Sequence, residues 1–206
     1  MKNSKTDPAF DKMIGDKIAN GYKHNDNKDF ARACDVWLNV WDEIKVTFPK
    51  KTKSISDIDR NFPRGGYISN LCQDLEEVLG NAGFADPSYH EKRIKYCREY
   101  ISLFPEKDLI YHNMKRAIAE SYFGLGKQED GEREYKTLIE EFPNSAWAYI
   151  GLADMYFIFR MNKTIAPDYE KAKAIYDEAL IKDIDDREAV IERLEILEVD
   201  KNKYNK

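Results

Sequence analysis

The chain has 206 residues, of which 42% are hydrophobic and 34% are charged, and this balance favours a folded, globular protein over a disordered one. Its net charge of -5 disfavours a nucleic-acid partner, because nucleic-acid binders normally present a basic face. The first residues lack the apolar core of a signal peptide and no run approaches the ~18 apolar residues of a membrane span, so we expect a cytoplasmic protein with no membrane partner.

Apolar residues recur at helical spacing through most of the chain, and no segment alternates in the manner of a strand. The predicted helices cover residues 8–23, 29–48, 54–61, 67–79, 87–104, 108–125, 128–142, 145–160, 167–182 and 185–198. The glycines of "GNAGFADP" are expected to end the helix 67–79, and "DKNKYNK" is expected to be a frayed tail. The fold class that follows is all-α.

Two stretches of the chain repeat one order of residue types, "YCREYISLFPEKDLIYHNMKRAIAESYF" and "YKTLIEEFPNSAWAYIGLADMYF". Ala153 follows Ala119 by 34 residues, and Gly131 follows Ala119 by 12, which are the spacings of the tetratricopeptide pattern. Ala172 follows Ala153 by 19 residues, which indicates an insertion of seven. Gly21 precedes Ala33 by 12 residues, so an earlier, degenerate unit keeps the small positions.

We predict a single helical-repeat domain over residues 1–206, built as a right-handed α-solenoid of about four antiparallel helix hairpins with a C-terminal capping helix. Its parts are a degenerate repeat (8–49), an irregular connector (50–66), a second degenerate repeat (67–105), a tetratricopeptide repeat (108–143), a tetratricopeptide repeat with an insertion (145–183), the capping helix (185–198) and a tail (199–206).

Three segments carry a resemblance to bacterial tetratricopeptide-repeat proteins that are associated with the SEC-C zinc motif. They read "CDVWLNVWDEIK", "LCQDLEEVLGNAGFADPSYHEKRIKYCREYISLFP" and, with a gap, "AESYFGLG" and "EFPNSAWAYIGLADMYF". The resemblance covers most of the chain and implies the helical-repeat architecture. The closely spaced cysteines of the SEC-C motif are absent from this sequence, so no zinc-dependent function follows from it.

The sequence offers little that indicates catalysis. His24, His90 and His112 are isolated, so we expect surface or helix-end polar residues and no metal site. "PRGGY" at 63–67 is a weak candidate for an anion site, and "DLEE" at 74–77 is expected to be a solvated acidic stripe. We therefore predict a protein that is not an enzyme and needs no cofactor.

Cysteines and the first two tryptophans are expected in the core. Cys34, Cys72 and Cys97 are odd in number, widely spaced and surrounded by apolar helical positions, which favours small core residues in a reducing compartment. Trp37 and Trp41 lie one turn apart and are favoured as core residues as well.

In a tetratricopeptide array the first helix of each hairpin lines a concave, peptide-binding surface. Counting from Ala119 and Ala153, the positions that face this groove are Asn113, Arg116, Glu120, Phe123, Trp147, Ile150, Asp154 and Phe157. With acids beside aromatic and aliphatic anchors, such a groove suits an apolar or basic peptide segment. The predicted function is a non-enzymatic scaffold that binds a protein partner.

Two alternatives stay open at this stage. Trp147 and Phe157 could pack against a neighbouring helix instead of lining a groove. The chain could also self-associate as a homodimer through the groove or through the helix 185–198, whose Ile191, Leu194, Leu197 and Val199 suit a cap or a dimer seam.

Overall fold

The computed structural model describes residues 7–48, 52, 54–60, 68–159 and 166–204, and every regular element in this part of the chain is a helix. The helices are α1 (Pro8–Asp26), α2 (Phe30–Lys45), α3 (Ile55–Asp59), α4 (Ile68–Gly83), α5 (Ser88–Leu103), α6 (Leu109–Gly124), α7 (Gln128–Glu141), α8 (Ala146–Asp154), α9 (Tyr169–Leu180) and α10 (Arg187–Tyr204). The predicted all-α class is confirmed for these residues.

The chain divides into two compact units. The N-terminal unit covers Met1–Ala117, and the C-terminal unit covers Ile118–Lys206, so that the boundary falls within α6. Each unit is described by itself below.

Three predicted helix ends are wrong. α4 does not stop before Gly80 but continues through it to Gly83. α8 ends at Asp154, six residues earlier than predicted. α10 continues through most of the predicted tail to Tyr204, because tyrosine, lysine and aspartate side chains of its last turns have partners on α9.

Two helices end in the same way, at the repeated Phe-Pro. The residue that caps the end of α5 is Phe104 (φ -125°, ψ 78°), and the one that caps α7 is Phe142 (φ -133°, ψ 66°). Each phenylalanine N–H still donates to the carbonyl four residues earlier. A proline that follows disfavours the helical conformation for the residue before it. The repeat in the sequence therefore corresponds to a repeated backbone conformation.

In the N-terminal unit, α1 and α2 form an antiparallel hairpin across a three-residue connection. Gly21 lies against the indole ring of Trp37, whose Nε1–H donates to the carbonyl oxygen of Ile18 at 3.1 Å. Further along the same interface, Lys17 donates to both carboxylate oxygens of Glu43 at 2.6 Å. Absence of a side chain at Gly21 is what allows the two helices to approach.

α4 is the central helix of the N-terminal unit, because it packs against α2, α3 and α5. Glu76 of α4 is buried and pairs with the guanidinium of Arg93 on α5. The Nε–H of Arg93 also donates to Glu76 Oε1 at 2.9 Å. Asp74 accepts a hydrogen bond from the Tyr22 hydroxyl. The predicted solvated stripe at 74–77 is thus wrong for Glu76, and only Glu77 is exposed.

In the C-terminal unit, glycines again lie against aromatic side chains of neighbouring helices. Gly131 of α7 lies against the side chain of Phe123 and the backbone of Ala119, and Gly151 of α8 lies against the ring of Tyr135. α8 and α9 are antiparallel, since Asp154 contacts Tyr176 while Tyr149 accepts a hydrogen bond from Lys182. α10 packs on α8 and α9 and completes the unit.

Cys34, Cys72 and Cys97 are buried in the core of the N-terminal unit, as predicted. Trp37 and Trp41 are core residues, which confirms that prediction as well. Among the described residues, no helix combines the length and the apolar character needed to cross a bilayer.

Candidate functional site

Of the eight predicted groove positions, Asn113 and Arg116 lie in the N-terminal unit, and both are half-buried on α6. Their neighbour His112 is buried, and burial together with the charge of Arg116 lowers the pKa of its imidazole. His90 is also buried and lies against Gly83. Both histidines lie in the first turn of their helices, as a helix-end position requires, but neither is at the surface.

Three other predicted positions belong to the core of the C-terminal unit. Ile150, Asp154 and Phe157 are all at most 3% exposed. The ring of Phe157 packs against the rings of Tyr169 and Tyr176 on α9, with centroids 6.1 Å and 6.4 Å away. For Phe157, the alternative that it packs against a neighbouring helix instead of lining a groove is therefore correct. None of the three presents a side chain to a partner.

Asp154 is the acid at the centre of a buried polar cluster. It accepts a hydrogen bond from the Tyr176 hydroxyl, and its Oδ2 lies 3.4 Å from Arg193 Nε on α10. Burial and the carboxylate raise the pKa of Tyr176 above its ordinary value. The cluster therefore holds a neutral phenol between α8 and α9 and an ion pair to α10, which is a stabilising arrangement.

Glu120 and Phe123 are half-buried on the part of α6 that belongs to the C-terminal unit. Phe123 packs edge-on against Tyr156, with ring centroids 6.0 Å apart, and also against Tyr135. Part of each side chain remains accessible, but most of the Phe123 ring serves helix packing.

Trp147 is the predicted groove residue with the most accessible surface, at 41% exposed. Its Nε1–H donates to Asp186 Oδ2 at 3.0 Å, and the adjacent Asp185 N–H donates to the carbonyl of Asn144 at 2.8 Å. Asp186 has a φ of 49°, a left-handed conformation that aspartate tolerates. These bonds fix the indole at the surface, so its exposed face is oriented in advance.

The last helix, α10, has two unlike sides. Val190 and Leu197 are buried against the unit. The opposite side, which we name the outer face, carries exposed aliphatic and acidic residues, namely Glu188, Ile191, Glu192, Glu195, Ile196 and Val199. The sequence indicated a cap or seam here from Ile191, Leu194, Leu197 and Val199. Ile191 and Val199 are exposed on the outer face, whereas Leu197 is buried and Leu194 is half-buried. The interleaved acids were not predicted.

A cleft of about 220 Å³ between α2 and α5 was not predicted from the sequence. Its lining includes Trp41, Lys45 and Glu99. Glu99 accepts hydrogen bonds from Trp41 Nε1 at 2.7 Å and from Lys45 Nζ at 2.8 Å, and Lys45 also pairs with Asp42. The charges of Asp42, Lys45 and Glu99 therefore neutralise one another.

Among the described residues, no group of three or more histidine, cysteine, aspartate or glutamate side chains is arranged to hold a metal ion. The candidate anion site "PRGGY" at 63–67 lies outside the described residues. Comparisons of the chain with known protein families, with curated proteins and with solved structures found no match.

Proposed function

We propose that this protein is a non-enzymatic, tetratricopeptide-like scaffold that binds a peptide or a protein segment. The observation that carries the proposal is a recurring contact, in which a glycine of one helix lies against an aromatic ring of a neighbouring helix. It occurs between Gly21 and Trp37, between Gly131 and Phe123, and between Gly151 and Tyr135. Repeated close packing of this kind is what a helical-repeat array requires.

The order of helix contacts within each unit supports the same proposal. In the N-terminal unit α2 packs on α1 and α4, and α4 packs on α5. In the C-terminal unit α8 packs on α7 and α9, while α10 packs on α8 and α9. Helices that contact mainly their near neighbours along the chain are typical of solenoids, which use their extended surfaces for binding.

The surface proposed for binding is centred on Trp147. Tryptophan is enriched among the residues that dominate binding energy, and an indole already fixed by Asp186 loses little side-chain entropy on binding. The buried acids support a structural role over catalysis, because Glu76 is paired with Arg93 and Asp154 with Arg193.

The test is a pull-down from a native lysate with the wild-type chain and a Trp147→Ala variant. Phe84→Ala is the matched control, because Phe84 is a 69% exposed aromatic of the N-terminal unit. Circular dichroism verifies folding, and light scattering gives the mass of each protein. Phe157 is left unchanged because it is buried, so its loss would confuse unfolding with lost binding.

A partner retained by wild type and by Phe84→Ala but lost by Trp147→Ala supports the proposal. Capture of the same proteins by all three variants contradicts a binding surface at Trp147. A dimeric mass that Trp147→Ala converts to a monomer supports self-association instead.

A further inference from the structure

The outer face of α10 carries three exposed carboxylates. Glu188, Glu192 and Glu195 are exposed, and none has an ion-pair partner within the described part of the chain. Some exposed acids on other helices are paired one turn away, as in Lys12–Asp16 and Lys173–Asp177. The three glutamates of α10 share one face of the helix with exposed aliphatic side chains, and within residues 188–199 that face carries no lysine or arginine.

These glutamates also repel one another. Glu188 and Glu192 are four residues apart, and Glu192 and Glu195 are three apart, so each pair lies side by side on the helix. Like charges at this spacing destabilise a helix. A cationic partner would relieve this repulsion.

Aliphatic side chains lie between the acids. Ile191, Ile196 and Val199 are 43%, 44% and 53% exposed, on the side of α10 opposite Val190 and Leu197. The terminal helix of a repeat array usually has a polar outer surface, because no further helix covers it. The stretch 188–199 spans about 17 Å at 1.5 Å per residue, which is about three turns of a partner helix.

The charge pattern distinguishes between two occupants. In an antiparallel pair of α10 helices centred on Ile196, Glu192 and Glu195 of both copies would lie within about one turn of the centre. In a parallel pair, each glutamate would lie beside the same glutamate of the second copy. Either arrangement opposes like charges across the interface. A helix with lysine or arginine beside its apolar residues meets the same face with opposite charges.

We propose that the outer face of α10 binds an amphipathic helix of another protein, whose contacting side carries aliphatic residues flanked by lysine or arginine. The partner would pack on α10 as the next helix of an array does, with its aliphatic side chains against Ile191, Ile196 and Val199. Its cations would pair with Glu188, Glu192 and Glu195. This inference goes beyond the function proposed above, because it does not involve Trp147.

The probe is a fluorescent synthetic helix of about 18 residues, long enough for five turns, with leucines on one side and lysines flanking them. Its binding to the full chain is measured by fluorescence anisotropy at physiological salt. A second peptide carries glutamate in place of every lysine. Two triple variants of the chain are compared, E188K/E192K/E195K on α10 and E91K/E129K/E140K on other exposed helix positions, which change the net charge equally.

We expect the lysine peptide to bind and the glutamate peptide not to bind. The α10 triple variant should weaken binding at least about tenfold, whereas the control variant should change it by less than about threefold. The aliphatic contacts have their own test, in which I196S/V199S weakens binding and I181S, at a site that is 84% exposed, does not.

Equal weakening by both triple variants would overturn the proposal, because it would show attraction to the net charge alone. So would a stable dimer that I196S/V199S dissociates, since the occupant would then be a second copy. Failure here with a positive Trp147 result would leave the function proposed above standing.

Discussion

Single glycines set how closely helices approach in this protein. At Gly21 an added methyl group would overlap the indole of Trp37, and at Gly151 it would lie 2.8 Å from the Tyr135 ring. Both contacts involve rings that are themselves fully buried, so the rings have no free space into which to move. Each glycine is therefore required by packing.

Gly21→Ala should lower the free energy of unfolding by about 1–3 kcal/mol, the usual cost of overpacking a core. Asn20→Ala is the matched control on the exposed side of α1, and there alanine should be neutral or slightly stabilising. Urea denaturation followed by tryptophan fluorescence measures both. Equal stability of the two variants would show that the hairpin tolerates a wider spacing.

The buried pair of Glu76 and Arg93 gives a second expectation. Arg93→Met should destabilise the protein by about 3–5 kcal/mol, because it leaves a carboxylate buried without its cation. Arg133→Met removes the arginine of an exposed pair with Asp130 and should change the stability far less. Adding Glu76→Leu to Arg93→Met should recover much of the loss, and no recovery would argue against an electrostatic cause.

Glu132 contributes a pH dependence. Burial would raise its pKa, but hydrogen bonds from Gln128 and Lys171 outweigh burial and lower the pKa to about 2 from an ordinary value of 4.5. Its stabilising contribution is therefore complete above about pH 4.5 and is lost as the pH falls toward 2.

Glu132→Gln should thus be less stable than wild type at pH 7, and the difference should shrink between pH 4.5 and 3. Denaturant titrations of both proteins at several pH values measure this. A difference that stays constant over this range would mean that the carboxylate is not ionised preferentially in the folded state.

The small residues at the helix contacts could be predicted well from the sequence, whereas the partners of buried polar residues could not. Gly21, Ala119, Gly131, Ala153 and Ala172 follow from spacing alone, and all five are buried. Asp154 was predicted to line a groove because position along a repeat cannot reveal that Arg193, 39 residues later, covers it. Burial by a distant helix is a tertiary effect with no local signal.

At the scale of helices, α10 shows how long-range contacts extend an element. Tyr169 donates a hydrogen bond to Asp200 Oδ2 at 2.7 Å, its ring packs on Tyr204, and Lys201 pairs with Glu170 at 2.5 Å. These contacts anchor the last two turns of α10 to the start of α9.

Ending the chain at Glu198 should therefore destabilise the C-terminal unit by about 1–3 kcal/mol, because it removes Asp200, which accepts a hydrogen bond from the buried Tyr169. A chain that ends at Tyr204 keeps these contacts and should match the full chain. Thermal unfolding of the three lengths provides the measurement. Equal stability of the two truncated chains would mean that the last turns contribute nothing.

Helix ends were the least predictable feature at this scale. The glycines at 80 and 83 suggested a helix end, since glycine favours the left-handed conformation found there. Both instead lie within α4, where they make room for the side chains of Arg93 and His90. Glycine can end a helix or make room for a neighbouring helix, and at these two positions the presence of α5 decides between these roles. The positions of the helices themselves followed from apolar periodicity.

For the whole molecule, stability should be local, because helices that contact near neighbours pass little strain to distant ones. Gly21→Ala should accelerate amide hydrogen exchange in α1 and α2, and to a smaller degree in α4, which packs on α2. Exchange in α10 should stay unchanged, since α10 packs on α8 and α9. Mass spectrometry of peptic fragments would measure this, and uniform acceleration along the chain would show that it unfolds as one cooperative body.

Because of where its cysteines lie, thiol labelling can report on one unit of the protein without the other. All three thiols are buried in the N-terminal unit, and the sequence from Ile118 onward contains none. Burial raises the pKa of Cys34 and of Cys72 to about 12, so little thiolate forms while the fold is intact. The rate at which a maleimide reacts with the native chain therefore measures the opening of the N-terminal unit alone. A cysteine introduced at the buried Ala179 would measure the opening of the other unit independently.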